Sequence, residues 1–491
     1  MATWLEHAES RAWTLLLVAC VGSRMATTIT YIEDLDSLRF ALSVADTYDI
    51  ASLQPHFPGY PVFWAVVKPL YVALGSFSTA FAIVGGLATA GLIAAGLHLW
   101  KQPLPSTGGA ALAAVLALNP LIWLMGTRYM PDLLGTACAW AALAFLLRAL
   151  PNNGRLRGRI DEQAALWGLV CAGLLAGLRL SYAPLVLLPA LVVLGRSQHP
   201  IRLVLAGAAS VLVWLVPMTV DTGWQTLIDV AWTQTEGHFT EFGGTVQTEA
   251  DTGRRVRGLV RGLWADGFGA WWPGRHPLTM AVGVAALGVG VVGLWRLVRS
   301  VNRHDPRLWI GVLSLVLYAA WIFFFQNVIH KSRHVLPLLP ALGLILAVGA
   351  RTLWHGTLWH RKLWIRSAVL AAFTAYAAVT LVLAVQHQSP SAIAQAKAFV
   401  DARADAATPT RVASVPLVNT YLRAQRVEAQ YVSVKDSSAV QRLRHADAGQ
   451  TLVVGTYTDL LPQPPDSVRR FYHNPFVNRM WPDVTVFIYE H

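Results

Sequence analysis

Three carboxylates lie within four positions of the stretch YIEDLDSLRF, residues 31–40, namely Glu33, Asp34 and Asp36. They follow the first apolar segment of the chain, and charged groups are costly near membrane hydrocarbon. A positioned carboxylate can take the proton of a hydroxyl group and so make that hydroxyl a nucleophile. Asp34 and Asp36 also form an Asp-x-Asp pattern, which could hold Mg²⁺ or Mn²⁺ through oxygen ligands. These acids are therefore candidates for catalysis.

Basic side chains form a second chemical set, in short segments between apolar runs. They are Arg39, Arg128, Arg179, Lys331 and Arg333. Arginine and lysine can balance the negative charge that grows on a phosphate leaving group. Acids and bases of this kind suit the transfer of a group from a phosphate to a hydroxyl acceptor, because the carboxylate removes the proton while the cations stabilise the departing phosphate.

The composition indicates a membrane protein with several spans. Of the 491 residues, 55% are hydrophobic and only 13% are charged, which is typical of that class. The formal net charge is +12, but the basic residues gather in short loops, so they indicate topology and no nucleic-acid partner is expected. The three cysteines all fall inside apolar runs without metal-ligand spacing, so neither a disulfide framework nor a zinc site is predicted.

The apolar runs predict about eleven transmembrane helices, at roughly 20 residues each. They lie near residues 12–30, 78–99, 107–126, 132–149, 163–180, 182–196, 201–219, 278–298, 308–326, 333–350 and 364–386. The segment 61–76 carries Lys68 and Pro69 at its middle, which favours an interfacial or re-entrant helix on the outer surface. With a cytoplasmic N-terminus, the inner loops then hold the basic residues, such as Arg155, Arg157 and Arg159, as the positive-inside rule requires.

This map divides the chain into two predicted domains in the inner (cytoplasmic) membrane of the cell envelope. Residues 1–386 form an all-α polytopic membrane domain, with a first outer loop at 31–77 containing interfacial helices and a long outer loop at 220–277. Residues 387–491 face outward and alternate helix-like runs with strand-like ones, such as TLVVG and VTVFIYE, which predicts a small α/β domain. The tail has no Gly-rich phosphate loop and is interpreted as an accessory or docking domain.

The remaining outer charges lie at helix mouths on the same side as the acids. They are Arg128 and Asp132 in GTRYMPDLLG, Arg179, and the segment KSRH at 331–334. Ionisable groups in such places favour a functional role. Two alternatives stay open: each basic side chain could reach to the interface for solvation alone, and Asp132 could cap the helix that follows it.

Four motifs carry a resemblance to a known family. They are DSLRFA at 36–41, PHFPGYP at 55–61, MPDLLGTACAWAALAFLL at 130–147 and KSRHVLPLLPAL at 331–342. Their order and sidedness resemble the GT-C-type glycosyltransferases that use polyprenyl-phosphate sugars, and the pattern is most similar to bacterial relatives of protein O-mannosyltransferases and of the lipid A aminoarabinose transferase. The resemblance covers roughly residues 12 to 345.

The resemblance implies particular roles for the charged residues. The family's catalytic acid opens a stretch Asp-Glu-x-Arg-Tyr-Ala, which matches Asp36 to Ala41 with Ser37 in place of Glu. Asp34 and Asp36 together are similar to the oligosaccharyltransferase pattern, so either carboxylate could act. The implied substrate-binding residues are Arg39, His56, Tyr60, Arg128, Asp132, Arg179, Lys331, Arg333 and His334. His334 stands where the family commonly has Tyr, and His56 could bind the sugar or the acceptor, or merely belong to a proline-rich turn.

The implied activity is transfer of a sugar from a polyprenyl-phosphate donor to a hydroxyl of a lipid, glycan or protein acceptor, outside the membrane and by inverting displacement. No cofactor is required, although a divalent metal ion at Asp34 and Asp36 is an open possibility. Two other classes stay as alternatives. A lipid-linked saccharide flippase or transporter predicts charges inside the spans and discontinuous helices. A non-catalytic assembly subunit would tolerate loss of Asp36.

Overall fold

The computed structural model describes residues 2–151, 158–300, 304–356, 362–404, 409–444, 449–457 and 460–490. Arg155 and Arg157 of the predicted inner loop lie outside these ranges. The chain forms two compact units, Met1–Thr28 with Leu42–Ala384 and Ile29–Ala41 with Val385–His491. The segment 29–41 therefore shares a unit with the tail, whereas the sequence placed it with the membrane domain.

The chain is predominantly helical. The helices are α1 Ala2–Ala26, α2 Leu35–Ala45, α3 Pro61–Leu74, α4 Phe77–Trp100, α5 Thr107–Ala117, α6 Pro120–Met125, α7 Asp132–Ala149, α8 Glu162–Arg179, α9 Pro184–Arg196, α10 Pro200–Thr222, α11 Trp224–Thr240, α12 Thr252–Arg261, α13 Thr279–Ser300, α14 Pro306–Phe325, α15 Leu339–His355, α16 Lys362–Gln388, α17 Ala392–Arg403, α18 Pro416–Ala424 and α19 Ser437–Arg444. Short 3₁₀ segments at Leu180–Tyr182 and Ser332–Leu338 and a π-helical turn at Gly262–Gly267 add to these.

Within the described ranges, eight helical segments are long and apolar enough to cross a membrane. They are Phe77–Trp100, Asp132–Ala149, Glu162–Tyr182, Pro200–Thr222, Thr279–Ser300, Pro306–Phe325, Ser332–His355 and Leu363–Arg403. The chain is thus a multi-pass membrane protein, although the predicted number of eleven spans is not confirmed. The predicted run 107–126, for example, is broken where Asn119 caps α6 and Pro120 begins it, because both residues favour a helix start.

Helix α3 has 14 residues, or about 21 Å at the usual rise, which is shorter than the roughly 30 Å hydrocarbon core. Pro69 lies inside it, and the ammonium group of Lys68 donates to the carbonyl oxygen of Val44 at 2.6 Å. This length is compatible with the predicted interfacial or re-entrant position.

The second unit contains one mixed β-sheet, which confirms the predicted α/β character of the tail. Its strands are β1 Thr410–Ser414, β2 Gln430–Ser433, β3 Gln450–Val454, β4 Ser467–Tyr472 and β5 Asp483–Glu490, in the order β2-β1-β3-β5-β4. Strand β1 pairs in parallel with β2 and β3, while β5 is antiparallel to β3 and β4. Ala413, Val453, Phe487 and Tyr489 form part of its apolar core.

Candidate functional site

The charged cluster of the first unit is built around Asp132, the first residue of α7. Its side chain is almost fully buried, at 1% exposure, and the positive end of the helix dipole favours a carboxylate there. Oδ1 lies 3.0 Å from Nη2 of Arg179 and accepts a hydrogen bond from the Tyr182 hydroxyl at 3.3 Å. Pro131 occupies the cap position of α7, so the N-cap alternative for Asp132 is wrong. The contacts of its Oδ1 given above are to the side chains of Arg179 and Tyr182.

Arg179 ends α8 and is held on both terminal nitrogens. Besides the contact with Asp132, its Nη1 donates to the hydroxyl oxygen of Tyr60 at 2.8 Å. The guanidinium also lies 5.6 Å and 5.7 Å from the ring centroids of Tyr60 and Tyr182, within cation–π range. A Cβ at Gly135 would stand 2.6 Å from Cβ of Arg179, so only glycine lets α7 and the end of α8 approach this closely.

Arg333 reaches the same carboxylate from the 3₁₀ segment Ser332–Leu338. Its Nε lies 3.8 Å from Oδ1 of Asp132, and its Nη1 lies 2.9 Å from Sδ of Met130. Arg333 and Arg179 are both less than one tenth exposed. Two guanidinium groups from distant parts of the sequence therefore converge on one carboxylate oxygen, which leaves one more cation than anion among these three side chains.

His56 and Tyr60 extend the network from the proline-rich loop. The Tyr60 hydroxyl lies 3.0 Å from Nε2 of His56. Since arginine only donates hydrogen bonds, the phenol oxygen accepts from Arg179, and the same hydroxyl forms a hydrogen bond with the imidazole of His56. Tyr60 has φ of 50°, a left-handed conformation that is uncommon for such a residue. The local backbone is thus shaped to present this side chain to Arg179.

The other predicted basic residues near this cluster are Arg128, Lys331 and His334. Arg128 and Lys331 are half-buried. His334 is buried, and its carbonyl oxygen accepts a hydrogen bond from the Tyr318 hydroxyl at 2.9 Å. That contact fixes the main chain beside Arg333, while the predicted substrate contact of the His334 side chain stays a prediction.

The predicted acids belong to the second unit, where their environments differ. Glu33 and Asp34 are buried, while Asp36 and Arg39 are half-buried. Oδ1 of Asp34 accepts from the backbone N–H of Ser37 at 2.8 Å, as a residue that caps a helix start does. Asp34 thus takes part in the start of α2, and the choice between Asp34 and Asp36 as the acting carboxylate stays a prediction.

Asp36 and Arg39 are three residues apart on α2 and so share a face of that helix. Among the described residues, no group of three or more His, Cys, Asp or Glu side chains is placed to hold a metal ion. An ion at the Asp-x-Asp pattern would need further oxygen ligands, so the metal site stays a prediction.

Asp266 lies beside the Arg333 segment and was not predicted from the sequence as part of the site. It lies in the π-helical turn Gly262–Gly267, is buried, and accepts a hydrogen bond from the hydroxyl of Ser332, the residue before Arg333. Nε of Arg261 lies 3.9 Å from its other oxygen. One feature of the sequence could have identified it, since Asp266 is the single acid between residues 252 and 275. A π-turn inside a helical stretch is frequently found at functional sites.

Arg255 and Arg275 lie in the same predicted loop, 220–277, and donate hydrogen bonds to main-chain oxygens. Arg255 is fully buried and donates to the carbonyl oxygens of Gly244 and Gln326, at 2.7 Å and 2.8 Å. Arg275 donates to the carbonyl oxygen of Ala265, beside Asp266, and burial lowers its pKa to about 10. Both arginines therefore bind main-chain oxygens of this loop.

The sequence and the structure were compared with those of known proteins. No protein-family model matches the sequence, and no curated protein matches it either. The structure is similar to that of ArnT from Cupriavidus metallidurans in the apo state, with a TM-score of 0.52, 14% identity, and coverage of 97% of this chain and 98% of that one.

Two further solved structures are similar. ArnT from the same organism bound to undecaprenyl phosphate gives a TM-score of 0.52 at 15% identity, covering 96% and 97% of the two chains. The archaeal oligosaccharyltransferase AglB from Archaeoglobus fulgidus, in complex with an inhibitory peptide and a dolichol-phosphate, gives 0.50 at 10% identity, covering 92% and 70%. These likenesses confirm that the chain has the GT-C-like fold that its motifs predicted.

Proposed function

We propose that this chain is a membrane glycosyltransferase that transfers a sugar from a polyprenyl-phosphate donor to a hydroxyl acceptor at the outer face of the membrane. The observation that carries the proposal is the convergence of Arg179 and Arg333 on Oδ1 of Asp132, at 3.0 Å and 3.8 Å. The segments 128–132, 179 and 331–333 supply four basic side chains and one acid. Such a set suits a phosphate group at the mouth of a helical bundle.

The fold neighbours support the choice of donor. ArnT has been solved with undecaprenyl phosphate and AglB with a dolichol-phosphate, so this architecture accommodates lipid phosphates. Because one fold can host several functions, sugar transfer is inferred from the charged residues around Asp132 and from Asp36.

The cluster is suited to hold the phosphate through the reaction. As the bond between the sugar carbon and the phosphate oxygen breaks, negative charge grows on the phosphate, and Arg179 and Arg333 stabilise it, with Lys331 and Arg128 as further cations. Contacts with Asp132 and Tyr60 fix the guanidinium of Arg179 in advance, which reduces the ordering cost at the moment of reaction.

We assign the proton transfer to Asp36. Its carboxylate takes the proton of the acceptor hydroxyl while the hydroxyl oxygen bonds to the sugar carbon, and polyprenyl phosphate leaves with the bonding electrons. Displacement in one step inverts the configuration at that carbon. Its half-buried position on α2 distinguishes Asp36 from the buried Glu33 and Asp34.

The test uses purified protein in lipid vesicles with a panel of polyprenyl-phosphate sugars and measures the free polyprenyl phosphate that forms. A transferase releases it in an acceptor-dependent manner, whereas a flippase moves the donor between leaflets and leaves it intact. Arg333→Gln should reduce the release strongly, and Arg202→Gln, which changes an exposed arginine of α10, is the matched control. Donor flipping without any release would refute the proposal.

A further inference from the structure

The segment that carries Asp36 is bonded to the tail through its main chain. The hydroxyl of Tyr421, on α18, donates to the carbonyl oxygen of Ile32, and the hydroxyl of Ser391 donates to that of Glu33 at 2.8 Å. In the opposite direction, the hydroxyl of Tyr31 donates to the carbonyl oxygen of His387 at 2.8 Å. Three consecutive residues of the first outer loop are thus fixed by partners that lie more than 350 positions later in the sequence.

A buried pair of titratable side chains reinforces these bonds. Oε2 of Glu33 lies 3.2 Å from Nε2 of His387, and both side chains are 0% exposed. Breaking one partner of such a buried pair leaves a polar group without compensation and is strongly destabilising. Burial raises the pKa of Tyr421, and the carboxylates of Asp34 and Glu33 add to the effect. The Tyr421 phenol therefore stays protonated and remains a donor.

The partners of the segment are themselves attached to the β-sheet of the tail. Nε2 of His473 lies 3.2 Å from the carbonyl oxygen of Ser389, and the side-chain amide of Gln395 donates to the carbonyl oxygen of Tyr472 at 3.1 Å. Tyr472 is the last residue of β4. A continuous set of hydrogen bonds therefore runs from the sheet to residues 31–33.

We propose that the tail is a positioning element for catalysis: Tyr421, Ser391 and His387 fix residues 31–33, and thereby the start of α2 and the carboxylate of Asp36. The inference rests on the proposed function of Asp36 and gives the tail a role that differs from accessory docking. Asp34 caps the helix immediately after the fixed residues, and Asp36 follows in the first turn. Any loosening of residues 31–33 is therefore transmitted to Asp36 through one short stretch of chain.

The test compares Tyr421→Phe with Tyr431→Phe. Each removes one hydroxyl from the tail, but the hydroxyl of Tyr431 donates to the carbonyl oxygen of Val427, within the tail itself. Tyr421→Phe should lower kcat by roughly two- to ten-fold, as expected for one neutral hydrogen bond, with the KM for the donor unchanged. Hydrogen–deuterium exchange of a peptide covering residues 33–45 should be faster in Tyr421→Phe and unchanged in Tyr431→Phe.

The Glu33 and His387 pair tests the positioning role independently. Glu33→Gln and His387→Gln should each lower kcat. The fold-loss of kcat in the double variant should be smaller than the product of the two single fold-losses, because the two side chains act as a unit. Unchanged exchange of the 33–45 peptide in Tyr421→Phe would overturn the positioning role, whatever the activity. If exchange rises as expected but wild-type protein releases no polyprenyl phosphate, the positioning of the segment stands and the proposed function fails.

Discussion

Arg179 and Asp132 form a buried ion pair, with Nη2 of the arginine 3.0 Å from Oδ1 of the aspartate. Both side chains are less than one tenth exposed, so each depends on the other for electrostatic compensation. The pair joins the C-terminal end of α8 to the N-terminal end of α7, and thereby fixes the guanidinium that we assign to the phosphate.

Removing one member of this pair should destabilise the protein. We expect Asp132→Asn to lower the free energy of unfolding by about 3–5 kcal/mol, because the buried guanidinium loses its counter-charge. Chemical unfolding in detergent checks this. The matched control is Asp483→Asn, which breaks the exposed pair of Arg470 and Asp483 and should cost less than about 1 kcal/mol. Equal effects of the two variants would contradict the structural role of the buried pair.

The second prediction concerns Arg333 and the phosphate. Arg333→Gln should weaken binding of a non-hydrolysable donor analogue and lower kcat/KM by about 10²-fold, because attraction to the leaving group increases as its charge develops. Arg333→Lys keeps the charge but loses the planar fork of donors, so its kcat/KM should lie between those of the wild type and Arg333→Gln. Wild-type binding of the analogue by Arg333→Gln would move the phosphate site elsewhere.

The third prediction separates the two neighbouring acids. Asp36→Asn should abolish transfer while the affinity for the donor is retained, because it removes a base that acts on the acceptor. Asp34→Asn keeps a side-chain oxygen for the Ser37 N–H and should reduce stability and activity only modestly. Single-turnover transfer and analogue binding measure the two quantities. An inactive Asp34→Asn beside an active Asp36→Asn would show that the wrong carboxylate is assigned.

The sequence predicted the helical membrane domain and the α/β tail because apolar periodicity and run length carry that information. It also selected Asp132, Arg179 and Arg333, since charges at helix mouths are costly unless they are used. It did not predict the grouping of residues 29–41 with the tail. That grouping depends on side-chain hydroxyls of Ser391 and Tyr421 bonding to carbonyl oxygens, and such contacts leave no periodic pattern in the sequence.

The fourth prediction tests membrane orientation, on which the outer position of the site depends. In vesicles or cells, Ser437→Cys in the exposed first turn of α19 should react with an impermeant thiol reagent added from outside. Arg159→Cys, at an exposed position of the predicted inner loop, should react only after the membrane is opened. Wild-type protein measures the background from its own cysteines, one buried and two partly buried. Reaction of Arg159→Cys in intact cells would reverse the predicted topology.

The fifth prediction concerns Asp266, which touches the site through Ser332. Its Oδ2 accepts from the Ser332 hydroxyl, and Ser332 precedes Arg333, so Asp266 should set the position of the Arg333 guanidinium without contacting the substrate. Asp266→Asn keeps the shape of the side chain and weakens the charge-assisted hydrogen bond. We expect the KM for the donor to rise several-fold and Ser332→Ala to reproduce the effect.

The double variant of Asp266 and Ser332 should then be no worse than either single one, because both changes remove the same bond. Asp251→Asn is the matched control, since Asp251 belongs to the same loop, 220–277. Among the contacts described there, its carboxylate accepts only a local hydrogen bond from the backbone N–H of Arg254. It should leave the KM unchanged. If Asp266→Asn lowers stability but leaves both KM and kcat at their wild-type values, then Asp266 stabilises the outer loop alone, and the position of Arg333 is determined by Asp132 and Met130.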